Sequence, residues 1–70
     1  MKTYKLNGLE YYTCASNKKD ACEIFWLYKI GVTHNDILET DITPNKDAVG
    51  KVFKSLKEYN SIIIMKYKLI

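Results

Sequence analysis

The stretch Thr3-Tyr4-Lys5-Leu6-Asn7-Gly8-Leu9-Glu10-Tyr11-Tyr12 decides how the chain begins to fold. Asn-Gly between alternating residues is the strongest short hairpin signal, because both central residues of a type I′ turn need positive φ. A two-residue loop pairs Leu6 with Leu9, Lys5 with Glu10 and Tyr4 with Tyr11. Period-2 alternation then sets Tyr4, Leu6, Leu9 and Tyr11 on a core face. Thr3, Lys5, Glu10 and Tyr12 fall on the opposite, solvated face, where Lys5 and Glu10 would pair.

Downstream of the hairpin, Ser16 is placed to cap a helix running from about Asn17 to Ile30. Asp20 and Glu23 complement the positive end of its dipole. Ala21, Ile24, Phe25 and Tyr28 recur at helical spacing and are the expected buried stripe. Gly31 supplies the left-handed position that ends such a helix, and Val32 folds back over the last turn. Trp26 and Leu27 lie off that stripe, so the helix is apolar over a wider arc than one packed side requires.

Thr33 to Leu38 reads as a capped turn, and Leu38-Glu39-Thr40-Asp41-Ile42 alternates like a short edge strand. Thr43-Pro44 is the expected start of a second helix, with proline at the first position, where its missing N–H costs nothing. Val49, Val52, Phe53, Leu56 and Tyr59 form the apolar stripe of that helix, and Asn60 ends it. Ser61 to Ile70 reads as a strand buried on both faces, with Phe53 packed on Ile63 or Met65. The expected order is β-β-α-(β)-α-β: one α+β domain over residues 1–70, with two helices on one face of a three- or four-stranded, mostly antiparallel sheet.

Seventy residues, 47% of them hydrophobic and 27% charged, support a single small core. So little core makes a homodimer or partner-bound form a natural expectation. Met1 to Lys5 carries no apolar stretch of signal-peptide length, and Ile62-Ile63-Ile64-Met65 is far too short to span a bilayer. Two cysteines do not make a disulfide scaffold, so a cytoplasmic location with free thiols is expected. All eleven basic residues behind the net charge of +3 are lysine. Without arginine, the bidentate reader of guanine and phosphate, sequence-specific DNA recognition is disfavoured.

Cys14, Cys22 and His34 are the only soft or imidazole ligands, and their spacing matches no structural zinc site. A thiol nucleophile at Cys14, with His34 as base and Asp36 as its orienter, has no oxyanion-hole or glycine-elbow motif to support it. Free cysteine is more often a small buried hydrophobe. Glu39 and Asp41 sit on the expected edge, where charge discourages aggregation. No phosphate, dinucleotide or calcium loop is present. Neither catalytic residues nor a metal or other cofactor are therefore expected, and the chain reads as a non-enzyme.

Tyr12, Trp26 and Tyr67 are the aromatics the core pattern does not claim, and they are the expected partner-binding residues. Tyrosine and tryptophan give large contact area at small entropic cost. A protein-docking module is the first expectation, extending by analogy of form to a phage- or mobile-element-type inhibitor of a host system. The second is a sequence-tolerant binder of single-stranded nucleic acid, using lysines and exposed aromatics on the sheet.

Overall fold

The structure, a computed structural model, describes residues 1–61. Strand β1 (Lys2–Leu6) and strand β2 (Leu9–Ala15) form the hairpin, and helix α1 (Lys18–Leu27) follows. A 3-10 turn (His34–Asp36) leads into strand β3 (Ile37–Glu39), and a second 3-10 turn (Lys46–Ala48) precedes helix α2, described over residues 56–61. The sheet is antiparallel with order β2-β1-β3. The expected α+β class stands, with the hairpin, a short edge strand and two helices. Asn60, the expected end of the second helix, and Ser61, the expected start of the last strand, both lie within α2; the rest of that strand, residues 62–70, and the contacts of Phe53 with Ile63 or Met65 lie outside the described residues.

Leu6 pairs with Leu9 as the turn signal implies, but the register then shifts, and Lys5 faces Tyr12 while Tyr4 faces Thr13. The Lys5–Glu10 and Tyr4–Tyr11 pairs do not form. The cause is the turn itself. Lys29 is the only non-glycine residue at positive φ among the described residues, so Asn7 does not adopt the type I′ conformation, although Gly8 does take φ 81°. Unprimed turns match the twist of the flanking strands poorly, and a bulge beside the turn restores the fit. Asn7 instead gives its N–H to the Asp36 carbonyl at 2.8 Å, tying the hairpin tip to the start of β3. The exposed ion pair of the sheet is Lys2–Glu39, at 2.6 Å; the carboxylate's hydrogen bond, then its charge, raises the Lys2 pKa.

Because the register shifts by two, the alternation of faces survives it. Tyr4, Leu6, Ala15 and Ile37 pack with Ala21, Cys22, Phe25 and Val32 in a core beneath α1, with Tyr11 partly buried beside them. Leu9, at the bulge, is exposed. The opposite face is not solvated. Tyr12 and Cys14 pack there with Ala48, Phe53 and Tyr59 in a second core. Helices α1 and α2 thus lie against opposite faces of the sheet, not on one. Thr3 and Thr13, polar and fully buried, each have a hydrogen-bonding partner.

The second helix starts later than its stripe suggested. Asn45, not Thr43, caps a 3-10 turn through Asp47 N–H at 2.9 Å, and Gly50 at φ 79° breaks the helical path. Residues 49–53 then run along the outer edge of β2: Tyr12 and Phe53 exchange both backbone hydrogen bonds at 2.8 Å, and Thr13 Oγ1 donates to the Lys51 carbonyl at 2.8 Å. Helix α2 restarts behind Ser55, whose Oγ accepts the Glu58 N–H at 3.1 Å. Phe53 and Tyr59 of the expected stripe are buried, Val52 is half-buried, and Val49 and Leu56 are exposed.

Candidate interaction site

Helix α1 begins at Asn17, whose side chain accepts the Asp20 N–H at 2.9 Å, one residue beyond the expected cap at Ser16. It ends earlier than expected. Lys29 N–H bonds the Trp26 carbonyl at 2.9 Å and Ile30 N–H bonds the Phe25 carbonyl at 3.0 Å, the paired bonds of a Schellman ending. The left-handed residue of that ending is Lys29 at φ 63°, not Gly31.

The side of α1 that meets the sheet carries Ala21, Cys22 and Phe25, with Ile24 partly buried. Tyr28, expected in this stripe, is the C-cap residue and remains 48% exposed. Relative to expectation the buried side is rotated toward Cys22. A second stripe follows from that rotation. Lys19, Cys22, Glu23, Trp26 and Leu27 share helical spacing, and together with His34 they line an open groove of about 540 Å³.

Trp26 is both exposed and fixed. The residue is 59% accessible, yet its Nε1–H donates to the Val32 carbonyl at 2.8 Å. The same carbonyl accepts the Cys22 thiol at 3.7 Å. Gly31 lies under the indole: a Cβ there would meet the ring at 3.5 Å, an ordinary contact. Leu27, which lines the same groove, is 80% exposed. An indole held in place before binding has little rotamer freedom left to lose.

Of the three residues expected at a partner surface, Trp26 is exposed and lines the groove. Tyr12 is not: at 6% exposure it belongs to the second core, because the face it occupies is covered by residues 42–61. Tyr67 lies outside the described residues. Leu27 and His34, missing from the expected site, were legible in part, since Leu27 lay off the core stripe. His34 is brought to the groove by the 3-10 turn, which Thr33 and Asp36 hold with a reciprocal capping box.

The thiol constellation does not assemble. Cys14 is fully buried in the second core against Thr3 and Tyr59, while His34 lines the groove beside Cys22, and Asp36 accepts from the Thr33 N–H and hydroxyl. Among the described residues no cluster of three metal-ligating side chains occurs, and no helix is long and apolar enough to cross a membrane. No protein-family model, curated relative or solved structure matches the chain.

Proposed function

We propose that this domain is a non-enzymatic binding module that docks on a partner protein through the α1 groove, with Trp26 as anchor. The observation that carries the reading is the fixed, exposed indole of Trp26 in a groove that it lines together with exposed Leu27 and buried Cys22. Exposed apolar patches rimmed by polar groups are characteristic of protein contact surfaces, and Lys19, Glu23 and His34 supply such a rim. The single-stranded nucleic-acid reading needs a basic sheet face with exposed aromatics. Among the described residues each face of the sheet carries a core, and Tyr4 and Tyr12 are buried in them. That favours the protein reading. The inhibitor role is its narrower form, and the two free thiols suit the cytoplasm as its place of work.

The test is capture of a partner from the native host, followed by affinity measurement with folded variants. Trp26→Ala should weaken binding by about 30-fold or more, the scale of a hot-spot residue. A folded Trp26→Ala protein with unchanged affinity for that partner removes the groove from the interface. Tight oligonucleotide binding that falls steeply with salt would replace this reading with the nucleic-acid one.

A further inference from the structure

The two cores differ in what holds them. The first, under α1, joins β1, β2, β3 and the helix through many interlocking side chains. The second depends on residues 42–61 lying over the other face. Among the described residues its polar ties to the sheet are the Tyr12–Phe53 backbone pair, the Cys14–Val49 bridge, Thr13 to the Lys51 carbonyl, and a buried chain through Tyr59. In that chain the Tyr59 hydroxyl donates its single proton to the Thr43 carbonyl at 2.7 Å. The Cys14 thiol, 3.3 Å from the same oxygen, must then be the donor to it. With that proton committed, Thr3 Oγ1, 3.5 Å away, donates to the sulfur. The run is Thr3 to Cys14 to Tyr59 to Thr43, with every donor used.

We infer that residues 43–59 form a strap that opens from the sheet as a unit while the α1 core stays closed, and that Cys14 is the thiol uncovered by that opening. Three facts support it. The sheet stands between the two cores, so leaving one face does not require breaking the other. The strap meets the first core's side of the sheet at adjoining residues, Val52 in apolar contact and Lys51 through the Thr13 hydroxyl. The Tyr59 hydroxyl holds the Thr43 carbonyl at the other end of the strap and accepts the Cys14 thiol, so one side chain joins the two ends of the strap and ties them to β2. Sub-global opening of this kind is expected where one cooperative unit has fewer buried contacts than its neighbour. Opening also releases the Tyr12 N–H and carbonyl on the outer edge of β2, now paired with Phe53.

Cysteine trapping reads this directly. The folded protein is exposed to iodoacetamide at fixed pH, and trypsin cleavage after Lys18 and Lys19 separates the Cys14 and Cys22 peptides for mass spectrometry. Amide hydrogen exchange of β1 reports the α1 core in parallel. Labelling of Cys14 should reveal an opening at least about tenfold more frequent than the one that exposes β1 amides, with a shallower denaturant dependence. Tyr59→Phe should raise Cys14 labelling about tenfold, the effect of one net hydrogen bond. The decisive variant is Phe25→Leu, which weakens only the first core: β1 exchange should accelerate while Cys14 labelling is unchanged. A proportional rise of both would show a single cooperative unit and overturn the strap. If Phe25→Leu does not fold, the wild-type denaturant slopes decide alone, and equal slopes for Cys14 and β1 overturn it.

Discussion

Lys29 occupies φ 63°, a conformation in which an L side chain crowds its own backbone and glycine does not. Two residues later Gly31 has no such need, and a methyl group there would rest on the Trp26 ring at an ordinary distance. Lys29→Gly should therefore stabilise the domain by about 1 kcal/mol. Gly31→Ala should be neutral or slightly stabilising, since it only removes unfolded-state freedom. Urea denaturation of the two variants checks both signs. A destabilised Lys29→Gly protein would mean that the aliphatic stem of Lys29 contributes more than its backbone costs.

Among the elements, α2 shows how a regular apolar stripe can overstate a helix. Val49, Val52, Phe53, Leu56 and Tyr59 keep helical spacing, yet Gly50 turns the chain at φ 79° and the helix starts only at residue 56. The space around Gly50 is open: a methyl group added there would meet no atom within 4 Å. Gly50→Ala should nonetheless cost about 1–2 kcal/mol, because the penalty is the backbone conformation and not a clash. The denaturation midpoint measures it. An unchanged midpoint would show that the turn relaxes into a continuous helix. The restart signal was present in Ser55-Leu56-Lys57-Glu58, a capping-box pattern in which Ser55 accepts the Glu58 N–H.

At the scale of the molecule, a three-stranded sheet separates two small cores, and the Tyr59 hydroxyl in the second is a point where pH acts. Burial first, and contact with the Cys14 thiol next, push the Tyr59 phenol up to about 12 from its usual 10.0. The folded protein therefore holds that proton more tightly than the unfolded chain. Its contribution to stability is complete below pH 10 and is lost as pH rises toward 12. Urea midpoints measured across that range should fall more steeply for the wild type than for Tyr59→Phe, which is less stable at neutral pH but flatter above it. Parallel curves would show that Tyr59 ionises without leaving the core. The surface of the molecule is set by the same arrangement: with a core on each sheet face, the largest exposed apolar side chain among the described residues is Trp26.

Local chemistry alone determined the hairpin, α1, the short edge strand and the α+β class. Each rests on interactions within a few residues, such as the Asn7-Gly8 turn, the Ala21 and Phe25 stripe, and the Thr33–Asp36 cap. Trp26 was legible as an outlier for the same reason, since its angle from Phe25 is a property of the helix. Tertiary structure alone decided which side of the sheet would be wet. Thr3 and Tyr12 have the look of a solvated face, and only the passage of residues 42–61 over it buries them. No local pattern encodes that passage, because a hydroxyl is at home in water or in a core as long as it finds a partner. Thr3 finds Cys14, and Tyr59 finds Thr43; those partners are 11 and 16 residues away along the chain.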